Sequence, residues 1–222
     1  MGALRFARLA LAAAAGYLAG TIPSADVAAR LATRGQVDIR SEGTGNPGAA
    51  NAMNVLGAKW GVAVMGADIA KGAAACRLGR RLAGDDLGAH VGGVSAVAGH
   101  CHPVWTSFRG GKGVATSVGQ VVATFPVYAP FDVAVAAATH ALPRWRNRAF
   151  AATTAASVAW VGGAAVWARN GWPNGWGPRP SRALPVAAAL SSAIITNRFL
   201  AEDRRSAATA SRSPISPVTG AT

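Results

Sequence analysis

The chain has 222 residues, of which 14% are charged and 51% hydrophobic, with 27 glycines and a formal net charge of +13. Soluble domains average roughly 25% charged residues, and the apolar residues here form long blocks with the charges swept to their ends. Most of those blocks lack polar stripes at the helical period, which argues against an Ala-rich soluble bundle and for a membrane protein.

About 20 apolar residues suffice to cross a bilayer as a helix, and the abundant Gly and Ala let such helices pack closely. The first block predicts a span from about Leu9 to Leu31. Met1–Tyr17 resembles a signal peptide, with Arg5 and Arg8 before an Ala-rich core. Apolar character nevertheless continues past Gly16 to Ile22, so an uncleaved first span is expected. Further spans are placed at about Trp60–Cys76 and Leu87–Val104. The stretch Val114–Ala141 is too long for one crossing, and Pro126 and Pro130 divide it into two short spans meeting at a tight turn. Spans at Ala149–Trp167 and Leu184–Ile195 complete an all-α, polytopic helical bundle of about seven transmembrane helices. A single transmembrane domain over 1–205 is expected, followed by a disordered tail over 206–222 that is rich in Ser, Ala and Pro.

With alternating loops, the side carrying Arg30, Arg34, Arg40, Lys59, Arg109, Lys112, Arg144, Arg146, Arg148, Arg198, Arg204, Arg205 and Arg212 is richer in cations than the side carrying Arg5, Arg8, Arg77, Arg80, Arg81, Arg169, Arg179 and Arg182. The richer side should be cytoplasmic, together with the C-terminus. Topology thus accounts for the positive charge, and no nucleic-acid partner is expected. Cys76 and Cys101 are the only cysteines and fall near opposite membrane faces, so no disulfide is expected.

Between the first two spans lies SEGTGNPGAANAMN, Ser41 to Asn54. Gly43, Gly45 and Gly48 spell G-x-G-x-x-G, with Asp68 downstream, but a dinucleotide site needs a preceding strand and a βαβ unit. Here an apolar helix precedes the loop and Asp68 lies inside the next one, so the match is accidental. What remains is a glycine-rich cytoplasmic loop bearing Thr44, Asn46, Asn51 and Asn54, able to turn backbone N–H groups toward an anion.

A second such loop sits in GHCHPVWTSFRGGKGVATS, Gly99 to Ser117. Gly110, Gly111 and Gly113 free the backbone to wrap an anion, Lys112 supplies a point charge, and Arg109 offers a forked donor suited to phosphate oxygens. The helix beginning at Val114-Ala115-Thr116 aims unpaired N–H groups at the same place. It is not a Walker loop, because Thr106 stands at the first-glycine position and Gly113 replaces the Ser/Thr. The alternative is that both cations only anchor a helix end at lipid headgroups. His100 and His102 lack a third partner for a metal, so no metal is expected; His100 is placed to hold the loop or contact a substrate oxygen. In GADIAKG, Asp68 and Lys71 sit at i,i+3 inside an apolar span, where ionisable groups are either paired or functional, and both readings stay open. Asp132 and His140 raise the same question less sharply.

Taken together, these segments resemble the acyl-phosphate-dependent glycerol-3-phosphate acyltransferases of bacterial membranes, the PlsY family. YLAGTIPSADVAARL (Tyr17–Leu31) looks like the family's first span, and GTGNPGAAN (Gly43–Asn51) is similar to its GSGNxGATN motif. DIAKG (Asp68–Gly72) resembles its Asp-x-x-Lys-Gly segment, and GHCHPVWTSFRGGKGVAT is similar to its GHxxPxFxxFKGGKGVAT motif. The resemblance implies transfer of a fatty acyl group from acyl phosphate to the 1-hydroxyl of glycerol 3-phosphate, giving lysophosphatidic acid and phosphate. It implies no cofactor, membrane lipids as surroundings, and neither acyl-CoA nor acyl carrier protein as donor. By resemblance Lys112, Thr44 and His100 take the catalytic places. Gly43, Gly45, Asn46, Gly48 and Asn51 shape one phosphate pocket, and Arg109, Gly110, Gly111, Gly113, Asp68 and Lys71 complete the substrate-phosphate set. The chain departs from the pattern at Asn54, where the family has an arginine, and at Ala50, where it has a threonine. IITNRFLAEDRR (Ile194–Arg205) lacks the histidine of the family's third motif. Two alternatives follow: a catalytically impaired relative that binds phosphorylated lipid precursors, and a small transporter, against which the absence of internal repeats counts.

Overall fold

The computed structural model describes residues 2–142 and 147–212, with side chains as far as Arg204. Arg144, Arg146, the side chains of Arg205 and Arg212, and the tail beyond Arg212 lie outside the described residues. The regular structure of the described chain is helical: α1 Gly2–Gly20, α2 Ser24–Thr33, α3 Ala49–Leu56, α4 Ala58–Ala83, α5 Asp86–Cys101, α6 Val114–Thr124, α7 Ala129–Ala141, α8 Arg148–Asn170 and α9 Ala183–Arg212. No strand occurs among the described residues.

It is an all-α bundle of the integral membrane type. Among the described residues three helical stretches, 2–33, 148–170 and 183–204, are long and apolar enough to cross a bilayer by length and composition. Large apolar side chains stay exposed where a soluble protein would bury them, among them Phe6 at 74%, Leu31 at 68% and Val158 at 69%.

Two proline positions set the breaks. The first predicted span is divided at Thr21–Pro23, because Pro23 has no N–H to continue the ladder and its ring crowds the preceding turn. Pro126 separates α6 from α7, whereas Pro130 falls in the first turn of α7, where a missing N–H is harmless. Two further differences from the sequence-based expectation concern helix where loop or tail was expected. Asn51 and Asn54 belong to α3, which starts after Gly48, and α9 continues to Arg212 rather than ending near Ile195.

Helix α4 lies between α1, α5 and α6, while α9 packs on α5 and α8. Glycine makes the inner contacts possible. A Cβ on Gly16 would strike the Gly92 carbonyl oxygen, one on Gly79 the Gly88 carbonyl oxygen, and one on Gly119 the Ile69 carbonyl oxygen. Backbones therefore approach closely along the α1–α5, α4–α5 and α4–α6 seams, as small residues permit inside a membrane. Aromatic packing closes the end remote from the glycine loops, with Phe125 and Tyr128 stacked at 5.1 Å between centroids against Trp160 and Leu184.

Candidate functional site

The second glycine loop leaves the C-terminus of α5 through Pro103 and a short 3₁₀ turn at Val104–Thr106. Ser107 and Phe108 both take positive φ, 51° and 61°, which turns the chain back on itself. Gly110 N and Gly111 N then donate to Cys101 O and His100 O, each at 3.1 Å. These two amides are thus engaged by the orphan carbonyls that every helix C-terminus leaves unpaired. They do not face an open anion cradle, as the loop spelling suggested. Gly113, at φ 83°, opens α6, and among the described residues the backbone amides of Lys112 and Gly113 make no backbone hydrogen bond. Both glycines before Lys112 are sterically required, since a Cβ would meet His100 O at Gly110 and His100 Nε2 at Gly111.

The first glycine loop is organised by Asn51. Its buried amide accepts from Thr44 N at 2.8 Å and donates to Ile39 O and Glu42 O, each at 3.0 Å. Gly43 and Gly45 take positive φ of 60° and 70° around it, and Thr44 Oγ1 accepts from Asn46 N at 3.4 Å. Asn51 therefore holds the loop's shape from α3, and Gly48 serves as the N-cap residue of that helix. Arg40 ties the two loops together. It makes a forked pair with Asp26, at 2.7 and 3.0 Å, and donates to the Arg109 carbonyl.

Beside them is a narrow cleft of about 20 Å³ lined by Thr21, Pro23, Arg40, Pro47, Asp68, Lys71, His100, Gly110 and Gly111. Lys71 Nζ lies 2.8 Å from Asp68 Oδ1 and donates to Ile22 O at 3.0 Å. That carbonyl, left at the break before Pro23, also accepts from Ser24 N at 3.0 Å, so Lys71 adds a second donor there while it pairs the buried carboxylate. His100 Nδ1 is 3.6 Å from Asp68 Oδ1, too long for a strong hydrogen bond.

Helix α9 closes the site. Arg198, 7% exposed, donates from Nη2 to Gly110 O at 2.6 Å and from Nε to Gly111 O at 3.3 Å. One turn later Glu202 Oε1 lies 3.1 Å from Lys112 Nζ, and Glu202 Oε2 accepts from Asn46 Nδ2 at 3.3 Å. Lys112 Nζ also sits 4.7 Å above the Phe199 ring. The structure thus gathers both glycine loops, Lys112, Asn46, Asp68, Lys71 and His100 at one end of the bundle. Arg109 is placed differently: its side chain is exposed, its N–H donates to Thr106 O at 3.0 Å, and its carbonyl accepts from Arg40 and from Thr106 Oγ1. Asn197 is exposed and faces α8 rather than the glycine loops.

Arg40, Arg198 and Glu202 were not among the predicted site residues. Arg198 and Glu202 stand at i,i+4, which puts them on one helix face with Ser191 and Ile195, both buried. That spacing was the available signal. Arg40 and Asp26 pair across a loop, and no local pattern announces it.

Apolar helices whose polar, glycine-rich loops converge at one end define a polytopic membrane protein with a cation-bearing cleft. A sequence profile described as glycerol-3-phosphate acyltransferase matches residues 10–206. Relatives called glycerol-3-phosphate acyltransferase include one from Syntrophotalea carbinolica, 45% identical over 60% of this chain and 66% of its own. One from Thermoanaerobacter pseudethanolicus is 40% identical over 56% and 62% of the two chains, and one from Anaeromyxobacter dehalogenans 38% identical over 77% and 80%. The chain thus spans slightly under two thirds of the length of the first two. The crystal structure of PlsY, an integral membrane glycerol 3-phosphate acyltransferase, in its glycerol 3-phosphate form superposes with a TM-score of 0.68 at 27% identity, covering 90% of this chain and 92% of that one. Its lysophosphatidic acid form gives 0.67 at 26% identity. The chain belongs to the glycerol-3-phosphate acyltransferase family.

Proposed function

We propose that this protein transfers a fatty acyl group from acyl phosphate to the 1-hydroxyl of glycerol 3-phosphate, releasing lysophosphatidic acid and inorganic phosphate. Family membership supports the reaction class, and the likeness to a protein solved with glycerol 3-phosphate and with lysophosphatidic acid supports the acceptor and product. One observation carries the reading to this chain's own residues: a single carboxylate, Glu202, is held jointly by Asn46 of the first glycine loop and Lys112 of the second. Donors that grip one anion from two loops suit a phosphate equally well.

The chemistry needs little beyond placement. The acceptor oxygen bonds to the acyl carbonyl carbon, the bond from that carbon to the phosphate oxygen breaks, and the hydroxyl proton leaves with the departing phosphate. Lys112 neutralises charge on the phosphate and on the developing oxyanion. Thr44, Asn46 and the two glycine loops hold the substrate phosphates, with Asp68, Lys71 and His100 beside them. A single domain over 1–205 with about seven crossings, in the bacterial plasma membrane and with the loops facing the cytoplasm, completes the proposal. Membrane lipids surround it, and acyl phosphate rather than acyl-CoA or acyl carrier protein is the donor.

The test uses the full chain purified in detergent. Phosphate release from palmitoyl phosphate should depend on added glycerol 3-phosphate and yield lysophosphatidic acid. Release that ignores the acceptor, or none at all, overturns the reading. The second reading, a binding protein without turnover, draws on the engagement of Lys112 by Glu202 and on the missing α9 histidine. It predicts bound glycerol 3-phosphate and no product.

A further inference from the structure

Beyond the residues that meet substrate, we propose that Arg198 is the positioning residue of the Lys112 loop, acting through backbone carbonyls and not on the phosphates. The inference rests on the acyltransferase reading for its kinetic consequence, but its structural half stands apart from that reading.

Consider what fixes the peptide units before Lys112. Along one edge, Gly110 N and Gly111 N donate to the terminal carbonyls of α5, Cys101 O and His100 O. Along the other, Gly110 O and Gly111 O accept from the Arg198 guanidinium at 2.6 and 3.3 Å. The strip is therefore held on both edges, and neither glycine has room for a Cβ on the His100 side. Lys112 is the next residue, so its Cα is set by a slot whose walls are the end of α5 and one buried arginine. Arg198 is 7% exposed, and a buried cation is tolerable only where its donors are matched. A planar fork fits two successive carbonyls; an ammonium is a single point donor and reaches one well. On the same face of α9, Glu202 engages Lys112 Nζ itself. One helix thus places both ends of the lysine, its backbone through Arg198 and its ammonium through Glu202.

This assigns Arg198 a role that needs no contact with substrate. A group that sets geometry lowers turnover when altered, whereas a group that binds substrate directly raises KM. The experiment compares wild type, Arg198→Lys and Arg198→Gln as full-length purified proteins. It combines steady-state kinetics with amide hydrogen exchange of the peptide spanning residues 99–117. In Arg198→Lys, exchange at Gly110 and Gly111 should quicken while α9 stays protected. Turnover should fall on the order of 10-fold to 100-fold, with KM for glycerol 3-phosphate moving only about twofold. Arg198→Gln should exaggerate both effects; if it fails to fold, the lysine variant alone decides. Unchanged loop exchange, or a large rise in KM with turnover intact, overturns the proposal. A wild type that shows no turnover, with loop exchange that still responds to the lysine variant, sinks the acyltransferase reading and leaves the pinning of the loop standing.

Discussion

Glu202 and Lys112 face each other at 3.1 Å, and the same carboxylate takes the Asn46 amide at 3.3 Å, so the molecule carries its own anion between its two glycine loops. A substrate phosphate must compete with that carboxylate for the same donors. Both side chains are about 30% exposed, and an ion pair of that exposure is worth about 1 kcal/mol or less. Glu202→Gln should therefore lower the KM for glycerol 3-phosphate, and the inhibition constant for inorganic phosphate, by about twofold to fivefold. Kinetics with added phosphate measure both. A higher KM would make Glu202 a clamp that the loops require.

Removing the ammonium itself has the opposite sign. Lys112→Ala should reduce acyl transfer by about 10²-fold to 10³-fold, the range for losing one charged donor at a developing oxyanion. Lys112→Arg keeps the charge but not the compact reach past Phe199, and should recover only part of the loss. Detergent unfolding temperatures should stay close to wild type for both, because the pair with Glu202 is partly exposed. The check is product formation measured beside the melting curve of each variant.

Much of this site is legible in the amino-acid sequence itself. The glycine spellings and the Lys112 motif identify both loops, because such residues have few other uses between apolar blocks. The Asp68–Lys71 spacing announces its own ion pair, since i,i+3 residues share a helix face. The division of Val114–Ala141 is equally readable, because proline stops a helix by simple chemistry. Three things are hidden. Which amides of the GGKG turn are free depends on the end of α5, and a loop sequence says nothing of its neighbour's orphan carbonyls. Arg40 reaches Asp26 and Arg109 only after the chain has folded back. The continuation of α9 past Ile195 brings in Arg198 and Glu202, and hydropathy ends the apolar span too early to include them.

The buried Asp68–Lys71 pair makes a sharper stability test than any surface charge. Lys71 is 6% exposed at its side chain and Asp68 3%, and Lys71 also satisfies Ile22 O at the α1–α2 break. Lys71→Met leaves a buried carboxylate without its cation and takes from Ile22 O one of its two donors, the other being Ser24 N, and should cost about 3 to 5 kcal/mol. Asp68→Asn combined with Lys71→Met should cost less than Lys71→Met alone, because the uncompensated charge has gone. Thermal unfolding of the two variants in one detergent decides, and a double variant weaker than the single would refute the pairing as the source of the loss.

Packing along the α4–α6 seam predicts a contrast between two glycines of similar helical setting. At Gly119 a Cβ would run into the Ile69 carbonyl oxygen and stand 2.8 Å from Ala73 N, so the helices must separate to admit it. Helix α6 is the helix that the GGKG loop opens, and moving it displaces Gly113 and Lys112 as well. At Gly66, on the exposed face of α4, nothing lies within 4 Å of the same atom. Gly66→Ala should therefore be neutral or stabilise by about 0.5 to 1 kcal/mol through lower backbone entropy in the unfolded chain. Gly119→Ala should destabilise by about 1 to 3 kcal/mol, as overpacking does, and should lower acyl transfer even at temperatures where the protein remains folded. Melting temperature and activity measured on both variants separate the two effects. Equal behaviour of the two alanines would show that α4 and α6 are not in backbone contact.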